Sequence, residues 1–287
     1  MITFYPTVSC RELGSTGAYL KHDTVLLVAS SFATDEVRKY GIVRTKLKVP
    51  HLPACVTEKA ADCGGFVATF KWGRYPYTPE QYVEWCYSWM PDWAATMDYC
   101  CEDEITSGNP GIVRERQDKT TQMAYHFWNT YRDAPWCWVP TIQGWTVEDY
   151  TRHAIEIKPL IQEMQAYYGQ DSYFRVGIGT LCRRASTEMI REVVLAVTSI
   201  LGEVPIHLWG VKKTTFKDAI ALPINVVSAD SAAFNGMFGT GRNLWKKATK
   251  PDGTSYRQTE WVLQVALPKY IRDLEEAFST LKQGAMF

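Results

Sequence analysis

Six short runs interrupt an otherwise apolar pattern: Asp62-Cys63-Gly64-Gly65, Asp98-Tyr99-Cys100-Cys101, Gln143-Gly144, Gly177-Ile178-Gly179, Trp209-Gly210 and Ser228-Ala229-Asp230-Ser231. Each closes a β-rich stretch. Together they offer three carboxylates, one amide and several glycines, which suits a pocket for a small, flat, polar ligand approached closely by backbone. Taken singly, each has a plain structural reading. Asp62 would cap a turn, Asp98 would pair with an arginine, Gln143-Gly144 would be a strand-to-helix turn, and Asp230-Ser231 would cap a helix. Recurrence at successive strand ends favours one shared site. Cys100 and Cys101 read as packed thiols, because no histidine stands near them in sequence to activate them. His207 falls inside a strand and reads as a core or supporting histidine.

The elements that must position these residues alternate. Strands are expected at 24–30, before Gly64, at 93–97, 137–144, 173–179, 205–211 and 224–230. Pro140 counts against regular pairing in the fourth of these. Phe66, Val67, Ala68 and Phe70, after the paired glycines, are expected to be buried. Helices are expected at 78–90, opened by Thr78 and Pro79, and at 113–133, 146–169, 186–202 and 215–222. A helical tail runs from about Thr259 with Pro268 inside it. Pro159 is expected to kink or split the helix at 146–169. Strand and helix in alternation predict a parallel sheet covered by helices, and seven strands in one chain favour a (β/α)8 barrel. No GxGxxG follows an early strand, so the dinucleotide fold lacks its main signal. No linker or repeat is visible, so residues 1–287 are expected to form a single domain.

Composition narrows the function classes. Lys+Arg and Asp+Glu both number 31 among 287 residues, so any nucleic-acid contact must come from a local basic patch. The eight cysteines contain no CxxC pair and none follows Cys182, which argues against a zinc site. No signal-peptide pattern or membrane-length apolar run is present, so reduced thiols in the cytoplasm are expected. The 11 tryptophans and 16 tyrosines are expected to be mostly packing residues, a few of them free to stack on bases.

The motifs resemble those of the tRNA-guanine transglycosylase superfamily, and more closely its DNA-acting branch, the phage and bacterial 7-deazaguanine DNA transglycosylases. ADCGGF resembles the family's D-S-G-G-F, MDYC its F-D-E-C, and IQGW its V-Q-G-G. VGIG stands at its Gly-Gly loop, HLWGV resembles its Y-L-M-G-V strand, and VVSADSAAF stands at its M-F-D-C-V. The order holds from roughly Thr24 to Asn243, and GTGRNLWKKATKPDG resembles its Gly-Arg-rich loop. The chain departs from the tRNA enzymes in lacking their C-terminal CxCxxC, and Cys63 replaces their serine. The first departure favours DNA over tRNA.

The resemblance implies base exchange on a nucleic-acid sugar, with Asp230 as nucleophile and Asp62 as general acid/base. Two carboxylates about 5 Å apart serve retaining transfer through a covalent intermediate. It further implies that Asp98 accepts from guanine N1–H and N2–H, and that Gln143, Gly177 and Gly179 meet the O6 and N7 side. Gly144 and Cys100 would line the pocket, and Gly64 and Gly65 would let sugar and base lie against backbone. Tyr99 or Trp145 would sandwich the base. Arg183, Arg184 and Arg242, with Lys246, Lys247 and Lys250, are the candidates for contacting DNA phosphate. The partners implied are DNA and a free 7-deazaguanine of the preQ0 type, with no cofactor, metal or membrane, and a homodimer left open. Alternatives are the same chemistry on RNA, a hydrolase on the same scaffold, and a non-catalytic nucleic-acid-binding barrel.

Overall fold

The computed structural model describes residues 2–16, 20–169, 172–182, 186–216, 222–235 and 244–284. Nine strand segments among them pair in parallel throughout: β1 (Thr3–Val8), β2 (Thr24–Val28), β3 (Glu58–Asp62), β4 (Trp93–Ala95), β5 (Cys137–Val139), β6 (Thr141–Ile142), β7 (Val176–Ile178), β8 (Ile206–Leu208) and β9 (Val226–Ser231). Their order is β5-β4-β3-β2-β1-β9-β8-β7-β6. The two ends of that order, β5 and β6, are consecutive in the chain and separated only by Pro140. Proline has no N–H to give a neighbour, so one strand pairs with β4 before it and with β7 after it. The Pro140 carbonyl still accepts from Gly177 N at 2.9 Å. Eight strand positions therefore close into an α/β barrel of the (β/α)8 kind.

The eighth position is β1, which the pattern does not announce. Pro6 and Thr7 break its apolar run, yet Tyr5 and Val8 are fully buried and Tyr5 stands in register with Asp230. The expected strands at 24–30 and 224–230 are present as β2 and β9, with a helix beginning at Ala29.

Helix starts follow their caps. Thr78 and Gln81 form a reciprocal capping box before Pro79–Tyr87, and Thr146 and Asp149 do the same before Val147–Tyr168. Asn109 precedes Pro110 at the head of Pro110–Tyr131, and Ser186 caps Thr187–Leu201.

One expectation needs correction and another narrows. The run after Gly64 is the helix Gly65–Trp72, on which Ala68 is buried but Phe70 is 53% exposed and stacks on Phe66 at 5.5 Å. Pro159 does not split its helix, which runs unbroken from Val147 to Tyr168; the carbonyl left without a donor belongs to Ile155, on the exposed face where water can serve it. The tail is helical as expected, with Pro268 in the first turn of Leu267–Gly284, directly after a π-helical segment Val262–Ala266. Of the helix expected at 215–222, residues 217–221 lie outside the described residues.

The large aromatics pack the barrel wall as expected, with Trp85, Trp93, Trp128 and Trp138 all buried. Among the described residues no helix is long and apolar enough to cross a membrane.

Candidate active site

Parallel barrels present their strand C-termini on one face, and here that face carries Asp62, Asp98, Gln143 and Asp230. Gln143 follows β6 and is buried, with its amide orientation fixed by a chain of donors. Cys101 N donates to Thr180 Oγ1 at 2.8 Å, so the hydroxyl proton goes to Gln143 Oε1 at 2.6 Å. Gln143 Nε2 then donates to Asp98 Oδ2 at 2.6 Å. The Gln143 backbone is clamped as well: its N–H donates to His153 Nδ1 at 2.9 Å and its carbonyl accepts from Gln117 Nε2 at 2.7 Å. Burial pushes His153 down to about 4, so its ring is neutral and accepts.

Asp98, after β4, is gripped on its other side. The Cys63 thiol donates to Oδ1 at 3.3 Å, and Tyr75 OH donates to the Asp98 carbonyl at 2.6 Å. Burial raises the Asp98 carboxyl, against the hydrogen bonds of Cys63 and Gln143 and the charge of Arg116. No arginine pairs with Asp98 among the described residues.

Asp62 ends β3. Its Oδ1 accepts from Gly64 N at 2.8 Å. Burial pushes its carboxyl up to about 7, and the nearby charges of Asp98 and Asp230 push the same way. A carboxyl poised near neutrality can both give and take a proton. It also has a stability signature. The folded carboxyl holds its proton more tightly than an unfolded one of about 3.8, so stability declines as pH rises from about 4 to about 7. Three units amount to about 4 kcal/mol as a ceiling. Asp62→Asn is therefore expected to raise the melting temperature at pH 8 by on the order of 5 °C, with the gain vanishing near pH 4. Thermal melts at both values check this, and a pH-independent difference would show that Asp62 does not titrate there.

Asp230 lies on β9 with its side chain 8% exposed. Its Oδ1 accepts from Gly210 N at 2.7 Å and faces His207 Nε2 at 3.4 Å, while Oδ2 accepts from Thr7 Oγ1 at 2.6 Å. It caps no helix. His207 is fully buried, as its place in a strand implies.

The glycines have reasons rooted in packing. Gly64 has φ 74° and a Cβ there would stand 2.7 Å from Ser30. A Cβ at Gly65 would overlap the Asp98 carboxylate, one at Gly179 the Gln143 amide, and one at Gly177 the Trp209 indole. At Gly144 it would stand 2.9 Å from Asp149 and from the Tyr150 backbone. The paired glycines of ADCGGF thus admit Ser30 and Asp98 beside Asp62.

Cys100 turns toward Arg116, whose Nε donates to its carbonyl, and burial holds its thiol well above the ordinary range. Tyr99 meets Tyr75 edge-on at 5.7 Å, with Arg116 and Lys119 beside its ring. Trp145 is half-buried at the head of the 147–168 helix. Arg183, Arg184 and Arg242 lie outside the described residues. Lys246 and Lys247 are exposed. Lys250 is engaged by Glu260 at 3.1 Å, which favours its structural reading.

Residues that pattern reading did not single out are Thr7, Tyr75, Gln117, His153, Thr180 and Arg175. Each enters through contacts made across the fold and not through a strand-end motif of its own. Among the described residues no three His, Cys, Asp or Glu side chains converge as a metal ion requires.

A parallel barrel whose C-terminal rim gathers three interacting aspartates and a fixed glutamine defines an enzyme-like site of the kind the motifs resemble. The family model of DpdA, DeoxyPurine in DNA protein A, matches residues 30–263, and the chain belongs to that family. No curated protein matches it.

Proposed function

We propose that this chain replaces guanine in DNA with a 7-deazaguanine base of the preQ0 type, as a pentosyltransferase working through a covalent aspartyl-sugar intermediate. The observation that supports it most is Asp62, a carboxyl raised to about 7 within electrostatic reach of Asp98 and Asp230. The family's description, which names deoxypurine in DNA, supports DNA as the substrate.

In this reading the target guanine leaves the duplex stack, at a cost of a few kcal/mol. Asp98 accepts from its N1–H and N2–H, and the second N–H of Gln143 Nε2 meets O6. Asp230 attacks C1′, a C–O bond forms, the glycosidic C–N bond breaks, and Asp62 gives its proton to the departing base. The incoming base then gives its N9 proton to Asp62, and its N9 displaces Asp230 from C1′. Two inversions restore the original face of the sugar. Arg183, Arg184, Arg242 and the exposed Lys246 and Lys247 are the candidates for backbone contact. The chain works as one barrel unit with its helical tail, in the cytoplasm, that of a bacterial host if phage-borne.

The test is incubation with labelled preQ0 and either DNA or tRNA. Label is expected in DNA. Label in tRNA alone would overturn the choice of nucleic acid. Guanine release without label would indicate a hydrolase, and DNA binding without either would indicate a non-catalytic barrel.

A further inference from the structure

Beneath Asp230 the barrel interior is polar where packing alone would favour hydrocarbon. Arg175 lies just before β7 and is 7% exposed, while Ser228 on β9 and His207 on β8 are fully buried. Arg175 Nη1 stands 2.8 Å from Ser228 Oγ, Ser228 Oγ 2.9 Å from His207 Nδ1, and His207 Nε2 3.4 Å from Asp230 Oδ1. We propose that Arg175 and Ser228 fix His207 as a one-directional hydrogen-bond donor to Asp230, making His207 the positioning residue of the nucleophile. The proposal rests on the reading of Asp230 as nucleophile.

The direction follows from what each group can do. A guanidinium has donors and no acceptor, so Ser228 Oγ must accept from Arg175. The serine proton then points to His207 Nδ1, which leaves the ring proton on Nε2, facing the carboxylate. The opposite tautomer would set an Nε2 lone pair against Asp230 Oδ1. The doubly protonated ring is disfavoured, because burial lowers the His207 pKa and Arg175 adds to that effect. Arg175 itself stays charged at neutral pH, although burial pushes it down to about 10. It lies over the Trp93 ring at 4.7 Å, donates to Tyr5 OH at 3.3 Å, and stands 3.9 Å from Glu58. Tyr5 in turn donates to Glu58. The chain therefore begins at a counter-ion on β3 and ends at Asp230.

A buried ion pair is weak support for stability, since apolar replacements are often as good. Orientation is what it can supply. With Gly210 N and His207 both directed at Oδ1, and Thr7 alone at Oδ2, Oδ2 keeps a lone pair for attack on C1′. The other titratable groups near Asp230 are Asp62 and Tyr270, which feel its charge from β3 and from the C-terminal helix.

The test combines a tautomer measurement with exchange kinetics on the full chain. Nitrogen-15 spectra of the histidine side chains should show wild-type His207 neutral and protonated at Nε2, and Ser228→Ala should mix the two tautomers. His207→Leu should lower kcat for base exchange roughly 10- to 100-fold, the effect of one hydrogen bond to a charged group, with the KM for DNA unchanged. His207→Gln, which can place an N–H near the Nε2 position, should recover most of the rate. If His207→Leu fails to fold, Ser228→Ala carries the same kinetic expectation in milder form. A wild-type ring protonated at Nδ1 would overturn the proposal, as would a Gln variant as impaired as Leu. If the wild type incorporates no base at all, the functional reading itself falls, a result distinct from exchange that is indifferent to His207.

Discussion

Asp230→Asn is expected to abolish incorporation of base into DNA while the protein stays folded and still binds DNA. The amide removes the nucleophile and little else. Its oxygen can keep the hydrogen bond from Gly210 N at the Oδ1 position, and its nitrogen can donate to Thr7 Oγ1, now 2.6 Å from Oδ2. Asp230→Ala would be less clean, because it strands Gly210 N, Thr7 and His207 without an acceptor in a buried place, and each orphan costs about 1–3 kcal/mol. Losing a nucleophile typically costs on the order of 10⁴-fold or more in rate. Wild-type enzyme with DNA and no incoming base should yield a protein–DNA adduct that survives denaturing electrophoresis, and the amide variant should yield none. An Asp230→Asn protein that incorporates base at the wild-type rate would remove the covalent mechanism altogether.

How much of this could be read from the chain depends on whether a residue's role is local. Asp62, Asp98, Gln143 and Asp230 announce themselves because apolar strand runs end on them, and a barrel carries every strand end to one face. The reason for Gly65 is not local. It is the Asp98 carboxylate arriving from the next strand, which nothing in ADCGGF reveals. The same holds for Thr7 and Ser228, which look like ordinary strand residues until β9 and β8 bring partners to them. β1 itself escapes pattern reading because Pro6 sits in a central strand, where proline is uncommon. Phe70 misleads in the opposite way. Its apolar neighbours suggest a buried run, but on a short helix the same residues point in several directions, and Phe70 faces out.

Asp98→Asn is expected to separate recognition of guanine from breaking of the bond. The fold should accept the change. Gln143 Nε2 is a donor whose orientation is fixed through Thr180 and Cys101, so the oxygen of the new amide must take the place of Oδ2, where Gln143 donates at 2.6 Å. The nitrogen of that amide then occupies the Oδ1 position, 3.4 Å from Tyr75 OH. That hydroxyl gives its proton to the residue 98 carbonyl and has a lone pair to spare. Local bonding survives if the Cys63 sulfur, 3.3 Å from that position, turns from donor to weak acceptor, and it fixes the amide in one orientation. In the proposed pocket that orientation is the wrong one. Guanine presents N1–H and N2–H side by side; a carboxylate accepts both, whereas the amide would meet one of them with its own N–H. Donors facing each other out of water cost far more than a weakened bond, and sites built around a required hydrogen bond discriminate by ~10⁴ or more. Exchange should fall by about that factor, with binding of DNA through its phosphates and the melting temperature close to wild type. Measuring all three on one variant decides the matter. A destabilised protein with near-normal turnover would make Asp98 a structural residue, held by Gln143 and Tyr75 for the sake of the fold.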